Sequence, residues 1–407
     1  MRWLLAFADR SARNPFWILR MSTKQSTPHA AEHLCALDAL RGIAILAVIW
    51  YHAYGDKAPF QSGWWFQSFG LKGALGTWRS NGWIGVNLFF VLSGFVLYWP
   101  FLTQQRQMVG RADLWTFYVR RAKRLLPLYY LSIFLLMGVA SVPSTRELVG
   151  LVTLTFNFHT DTFFPRTNWV LWSLGIEIWF SLLFPLLLLA LERYSWQSVT
   201  MAVLSLSLLV RVAGILIPEV AYPGNNFLNP VKDSIFGRLD DFFVGMLVAR
   251  AYLAGYGRRT TLWIISGLCV CTLAVLVVDL SIIGQLPRWT IVLYNNLFQL
   301  GAGLLILGAL SMRLRFRPLE LAGLMCYSVY LWHGVLLAHI VWNAQGSGKF
   351  MYLLVLPVLS WLSYRYVEFG HVKNVGALLP RPIREISANR AHDSLTAHKE
   401  DPMPLKN

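Results

Sequence analysis

The sequence predicts an all-α fold, a polytopic membrane helix bundle with about ten transmembrane helices. Of its 407 residues, 56% are hydrophobic and only 14% are charged, whereas an ordinary soluble domain carries about 25% charged residues. The 18 Trp, 25 Phe and 16 Tyr residues suit a protein whose helix ends lie at membrane interfaces, where amphipathic rings accumulate. This composition excludes an ordinary soluble fold, because a chain of this length would lack polar surface.

Ten apolar runs follow residue 36, each of about 17 to 25 residues, the length that a helix needs to span a bilayer. They cover 37–54, 83–102, 125–142, 169–191, 199–217, 235–254, 262–280, 291–311, 321–342 and 350–368. The stretch from Leu148 to Phe158 is apolar but too short to span, and we predict an interfacial or re-entrant piece there.

Three parts of the chain follow from these runs. We expect a cytoplasmic amino-terminal segment at 1–36, a transmembrane domain at 37–369 and a cytoplasmic tail at 370–407. The tail is polar and contains four prolines, a composition typical of disorder.

The distribution of Lys and Arg explains the formal net charge of +16 without a nucleic-acid partner. If the amino terminus is cytoplasmic, 23 of the 36 Lys and Arg residues fall in cytoplasmic segments and 8 in outer segments. Cytoplasmic loops of membrane proteins collect such residues. We therefore predict a multi-pass protein of the inner (plasma) membrane, in contact with membrane lipids and with both termini in the cytoplasm.

The cysteines predict neither a disulfide nor a metal site. Cys269, Cys271 and Cys326 lie in apolar runs, and Cys35 precedes the first run. Cysteine in such surroundings acts most often as a small hydrophobic side chain.

Ionisable side chains inside the apolar runs are the first functional candidates, because each costs about 2.5 to 3.5 kcal/mol to insert at the bilayer centre. Arg41 and His52 are eleven residues apart, so they share a helix face at a separation of about 16 Å along the axis. His52, Glu177, Asp240 and His333 fall at one depth, in the outer half of the membrane. We predict that they form a buried acid–base cluster, in which a carboxylate orients an imidazole.

Two functional classes remain open at this point. Proton-coupled transporters bury the same groups, so the cluster alone does not separate an enzyme from a transporter or exporter. The predicted loop after the second run contains Arg120, Arg121, Lys123 and Arg124, directly before a Leu-Leu-Pro sequence. Such a cluster is typical of an anchor for anionic headgroups. It also suits a clamp for a polyanionic ligand, because guanidinium groups bind phosphate in bidentate geometry.

Five motifs, in a fixed order, carry a resemblance to a known family. They are Leu40-Arg41-Gly42-Ile43 with His52, Gly85-Val86-Asn87-Leu88-Phe89-Phe90-Val91-Leu92-Ser93-Gly94-Phe95, Arg121-x-x-Arg124 before Leu-Leu-Pro, Trp172-Ser173-Leu174-Gly175-Ile176-Glu177, and Tyr327-Ser328-Val329-Tyr330-Leu331-Trp332-His333. From about residue 37 to 369 the chain resembles the acyltransferase-3 family of bacterial integral membrane O-acyltransferases, which has ten core spanning helices.

The resemblance implies transfer of an acyl group, most often acetyl from acetyl-CoA, to a hydroxyl of a glycan, glycolipid or macrolide-like glycosylated product. The donor would enter from the cytoplasm, and the acceptor would commonly lie outside. No metal is implied. Many members carry a second acidic residue where this chain has Ile178. Its role is absent here or is supplied elsewhere, with Asp240 as one candidate.

The resemblance also implies roles for individual residues. His52 corresponds to the catalytic histidine and Arg41 to its motif partner. Ser93 and Gly94 correspond to a close-approach turn, and Arg121 and Arg124, with Arg120 beside them, to the donor-side cations. Glu177, His333 and Asp240, from the predicted acid–base cluster, complete the candidate catalytic set. The rival reading is a transporter without acyl chemistry, but the two halves show no internal similarity of the kind that inverted repeats produce.

Overall fold

The computed structural model describes residues 29–54, 78, 81–137, 143–217, 229–256, 260–282, 284–287, 289–312, 316–337, 348–374 and 378–379. These residues form helices and contain no β-strand, so the predicted all-α class is confirmed. Residues 1–28 and 380–407 lie outside the described residues, and the expectations for these two ends stay predictions.

Twelve α-helices follow one another in the described part of the chain. They are α1 (His29–Tyr54), α2 (Gly85–Leu102), α3 (Arg111–Met137), α4 (Thr145–Thr153), α5 (Leu171–Arg193), α6 (Trp196–Leu216), α7 (Leu239–Leu253), α8 (Thr260–Ile282), α9 (Thr290–Leu310), α10 (Arg317–Leu324), α11 (Cys326–Leu336) and α12 (Gly348–Ser363). A π-helical turn, Tyr364–Glu368, continues α12.

Described helices cover at least part of each of the ten apolar runs. Among the described residues, seven helices are long and apolar enough to span a bilayer, and α10 with α11 makes an eighth span if this pair, bent by 75°, counts as one. The two remaining runs fall on α3, whose first half is strongly charged, and on α7, which has only 15 residues. The chain is thus a multi-pass helical membrane protein. Large apolar side chains on α6 and α8, such as Leu209 and Ile265, are exposed, which is typical of a helix surface that contacts lipid.

The third helix begins earlier than predicted. We expected Arg120 to Arg124 in a loop, but α3 starts at Arg111 and carries all four cations. Neither Gly nor Pro interrupts the chain between residues 111 and 126, and Pro127 lies within the helix. The basic cluster therefore has a helical spacing, which places Arg120, Arg121 and Arg124 toward one side.

Glycines bring α2 into backbone contact with α7. A Cβ atom on Gly94 would lie 1.9 Å from the carbonyl oxygen of Phe242, and one on Gly245 would lie 2.0 Å from that of Val91. Small residues permit such close approach between membrane helices. Ser93 and Gly94 therefore form no turn, contrary to expectation, because both lie within α2 and Gly94 serves the contact with α7.

The segment between α4 and α5 is tied to α11. The predicted interfacial piece forms the short helix α4 and a 3₁₀ turn, Phe156–Phe158. Farther on, the Asn168 side chain donates to the carbonyl of Leu331 at 3.1 Å, and the Tyr330 hydroxyl donates to the carbonyl of Val170 at 3.0 Å. These bonds fix the residues before α5 against the helix that carries His333.

Candidate active site

A cavity of about 570 Å³ lies among α1, α2, α3, α5 and α11. One end is lined by Gln105, Arg106 and Gln107, in the connection between α2 and α3, and the other reaches Ser173 and Tyr330. Along α2 the lining runs from residue 86 to residue 101, a length of about 22 Å at the rise of an α-helix. The cavity is therefore long and narrow enough to hold an extended ligand arm.

Arginines dominate the charge of this cavity. Five arginines and two carboxylates are among its lining residues: Arg41, Arg106, Arg120, Arg121 and Arg124, with Asp113 and Glu177. The formal charge of this lining is +3. At the mouth, burial and then the neighbouring charge of Arg120 lower the pKa of Arg106. A field of this sign attracts anions and stabilises phosphate groups.

Ion pairs hold three of these arginines in place, Arg41, Arg121 and Arg124. Arg121 lies 3.2 Å from Glu177 Oε1, and its Nε donates to Ser181 Oγ at 3.1 Å. Ser93 also donates to Glu177, at 3.4 Å. The carboxylate of Glu177 thereby connects α2, α3 and α5, inside the cavity.

Two further arginines have acidic partners that do not line the cavity. Arg41 lies 3.0 Å from Asp38, and Arg124 lies 3.7 Å from the buried Glu368. Because a guanidinium group has five N–H donors, each pair leaves donors for a ligand. Arg41 thus belongs to the cationic cavity, and His52, its motif partner, lies about 16 Å farther along α1.

Tyr330 closes the end of the cavity that lies opposite Gln105, Arg106 and Gln107. Its hydroxyl donates to Val170, so the 2.6 Å contact with Ser173 Oγ is a bond that Ser173 donates. The ring of Tyr330 lies 5.1 Å from the imidazole of His333, centroid to centroid. One buried ring therefore separates the end of the cavity from the histidines.

The two histidines contact each other, as their common depth predicted. His333 Nε2 lies 3.3 Å from His52 Nδ1, and the rings stack at 5.3 Å. His333 Nδ1 lies 2.6 Å from the carbonyl oxygen of Tyr330, and this nitrogen must carry the proton because a carbonyl only accepts. The other nitrogen of a neutral His333 then accepts from His52 Nδ1–H, which leaves His52 Nε2 with the free electron pair of a base.

The two predicted carboxylates do not complete this cluster. Glu177 is bound to Arg121 and Ser93, and Asp240 forms a bidentate pair with Arg211 at 2.9 and 2.7 Å. A common depth did not bring the four residues together, because position around the bundle also decides contact.

Asp240 belongs instead to a second buried polar network. Its charged members in the described chain are Arg211, Lys232, Asp233, Arg238, Asp240 and Asp241, three cations against three carboxylates. Arg238 also donates to Asn295 of α9 at 2.9 Å. Charges buried in this way are tolerated because they are paired and hydrogen-bonded. The network connects α6, α7 and α9.

Sequence reasoning missed several residues of the site. Tyr330 lies three residues before His333, so helical spacing could have placed it on the same side of α11. Glu368 is the last residue of the last apolar run and its lone acid. Trp169, whose ring lies 4.5 Å from that of His52, precedes the Trp172 motif by one turn. The pairing of Glu368 with Arg124 carried no signal in the sequence. Within the described residues, no group of three or more His, Cys, Asp and Glu side chains is arranged to hold a metal ion.

Comparison with known proteins finds one family and several relatives. The family model described as an acyltransferase domain, Acyl_transf_3, matches residues 36–375. The O-acetyltransferase OatA of Staphylococcus aureus strain NCTC 8325 is 24% identical over 371 residues, which cover 84% of this chain and 57% of OatA. YrhL of Bacillus subtilis, whose naming as a peptidoglycan O-acetyltransferase is provisional, is 26% identical over 398 residues, with 84% and 55% covered.

These relatives are longer than the present chain, which spans a little over half of their length. No solved structure matches it with significance.

Proposed function

Because this chain belongs to the acyltransferase-3 family, we propose that it is a membrane O-acyltransferase that uses acetyl-CoA, or another acyl-CoA, to acylate a hydroxyl group. The arginine-lined cavity that ends one ring away from the histidine pair carries this proposal. Coenzyme A is a polyphosphate with a long thioester arm, and the cavity offers cations at its mouth and a path toward a base.

The donor side of the proposal rests on charge and shape. Arg106, which precedes α3, and Arg120 line the mouth of the cavity. Arg121 and Arg124 lie on α3 with Arg120 and line the same cavity. Phosphate groups at these arginines would leave the pantetheine arm to follow α2 inward. The thioester carbonyl has to pass Tyr330 to meet the histidines, which requires a shift of the Tyr330 and Ser173 side chains.

The chemistry rests on the histidine pair. A hydroxyl group is a weak nucleophile near neutral pH, and a general base that takes its proton typically accelerates the reaction by a factor of about 100 to 10,000. The hydrogen bonds of His333 leave His52 Nε2 available for this task. As the imidazolium of His52 forms, its Nδ1–H keeps a neutral acceptor in His333. Either direct transfer or a transient acyl-histidine fits this arrangement.

The acceptor is assigned by class only. OatA is named an O-acetyltransferase and YrhL is provisionally named for peptidoglycan, which supports a hydroxyl-bearing glycan of the cell envelope. We place the segments rich in Lys and Arg in the cytoplasm. In this orientation the mouth of the cavity faces the cytoplasm, and His52 lies in the outer half of the inner membrane. The acyl group then crosses the membrane while coenzyme A stays inside.

The rival proposal, an exporter without acyl chemistry, makes a different prediction. We expect purified protein in nanodiscs to transfer the label of [14C-acetyl]-CoA to a peptidoglycan fragment and to release one free thiol per acetyl group transferred. Heat-denatured protein is the control for chemical acetylation. Tight binding of acetyl-CoA without thiol release or labelled product, across glycan and glycolipid acceptors, would contradict the proposed function.

A further inference from the structure

Trp169 lies beside the histidine pair and takes no part in the steps proposed above. Its indole ring meets the imidazole of His52 edge to face, with centroids 4.5 Å apart, and lies 6.4 Å from His333. Trp169 Nε1 is buried and makes no hydrogen bond to any of the described residues.

A buried N–H group without an acceptor is costly, since it loses its bond to water and gains none in return. Such groups are rare in folded proteins, and each one asks for an explanation. Two other indoles of this bundle avoid the cost: Trp179 donates to the carbonyl of Leu154 at 2.8 Å, and Trp332 donates to Ser363 at 2.7 Å. Among the described residues, Arg211 Nε and Asn295 Nδ2 also lack a partner, but they belong to the second polar network, whereas Trp169 lies next to the proposed base.

The indole is also held rigidly. Both neighbours of Trp169 are bonded to α11, since Asn168 donates to Leu331 and Val170 accepts from Tyr330. The same helix carries His333. The N–H group is therefore fixed with respect to the histidines before any substrate arrives, which is the condition for effective stabilisation of developing charge.

We propose that Trp169 Nε1–H donates a hydrogen bond to the carbonyl oxygen of the thioester and stabilises the negative charge that this oxygen acquires during transfer. This inference rests on the proposed function and names a further catalytic residue for it.

In direct transfer, one bond to the carbonyl carbon forms and another breaks. The acceptor oxygen bonds to the thioester carbon while its proton moves to His52 Nε2, and the carbonyl π electrons move to the oxygen that Trp169 faces. When that electron pair returns, the carbon–sulfur bond breaks. The thiolate of coenzyme A leaves and takes the proton from His52. The products are the ester and free coenzyme A.

The test removes the N–H group of Trp169 and keeps an aromatic ring at this position. Trp169→Phe, and 3-benzothienylalanine placed at position 169 by codon suppression, both lack the N–H group, and the second keeps the indole shape. We expect turnover of acetyl transfer to fall by about 100- to 1,000-fold in both, the loss typical of an oxyanion donor. The Michaelis constants for acetyl-CoA and for the peptidoglycan fragment should stay within about twofold.

Trp179→Phe is the matched control, because it removes an indole that bonds a backbone carbonyl outside the cavity. We expect this control to lower thermal stability and to keep turnover. A second readout does not need turnover: the carbonyl stretch of 13C-labelled acetonyl-CoA, a ketone analogue of the donor, should lie at lower frequency on the wild-type protein than on Trp169→Phe.

Two results would overturn this role. Wild-type turnover in the benzothienyl variant would show that ring packing matters and the N–H group does not. A raised Michaelis constant for the acceptor with unchanged turnover would make Trp169 part of the acceptor site. Failure of the proposed function itself is distinguishable, because then the wild-type protein also transfers no acetyl group.

Discussion

Replacement of His52 by Ala should lower the turnover of acetyl transfer by at least about 100-fold, the contribution of a general base. Expression and assembly of the bundle should change little, because His52 lies in the last turn of α1 and its loss removes one hydrogen bond, to His333, and ring contacts with Trp169 and His333. Initial rates with saturating acetyl-CoA, measured beside the thermal stability of the same preparation, check this expectation.

His159→Ala is the matched control for that substitution. His159 is exposed and contacts Arg146, so its loss should leave the rate unchanged. Transfer by His52→Ala within tenfold of the wild-type rate would remove His52 from the mechanism.

The neighbour His333 allows a finer comparison within the same experiment. Its Nε2 accepts a hydrogen bond from His52 Nδ1–H, which leaves Nε2 as the reactive nitrogen of His52. His333→Gln can replace this acceptor with an amide oxygen, whereas His333→Phe keeps volume and removes it. We expect the Gln variant to retain more turnover than the Phe variant, and the opposite order would show that His333 acts by packing alone.

The double substitution Arg121→Ala with Arg124→Ala should raise the Michaelis constant for acetyl-CoA by about 10- to 100-fold, because two guanidinium groups that can bind phosphate are lost. The constant for the acceptor should change much less. Steady-state kinetics with each substrate varied in turn, together with direct binding of acetyl-CoA, separate the two effects.

A control variant tests the alternative that this cluster only anchors the membrane orientation. Lys123 lies on the same turn of α3 but is exposed and does not line the cavity. Lys123→Ala should leave acetyl-CoA binding intact. If the double variant binds acetyl-CoA normally and inserts with inverted orientation, the cluster is an anchor for headgroups and the donor site lies elsewhere.

Much of the bundle is readable from the sequence because membrane helices obey a simple length and hydropathy rule. Each of the ten apolar runs falls at least in part on a described helix, and depth along the helices correctly placed His52 beside His333. Depth failed for Asp240, since the position of a helix around the bundle depends on packing contacts such as Gly94 with Phe242. The apolar run also failed to predict the start of α3, because charged residues extend that helix beyond its apolar part.

The sequence also could not predict which charged residues, distant along the chain, form ion pairs. Glu177 could have faced the histidines or the cations, and only the packing of α3 against α5 decides for Arg121. The unused N–H group of Trp169 is visible only when every neighbouring acceptor has been placed. The family resemblance, now confirmed by the match over residues 36–375, indicated the chemistry but not these contacts.

The most direct test of the proposed mechanism is the sidedness of transfer. Protein reconstituted in vesicles in one orientation, verified by protease access to a terminal tag, would receive acetyl-CoA on the cytoplasmic face and a membrane-impermeant peptidoglycan fragment on the outer face. We expect acetylated fragment on the outer face and free coenzyme A on the cytoplasmic face, with neither product in vesicles that carry His52→Ala. Product that forms only when both substrates share the cytoplasmic face would contradict transfer through the membrane.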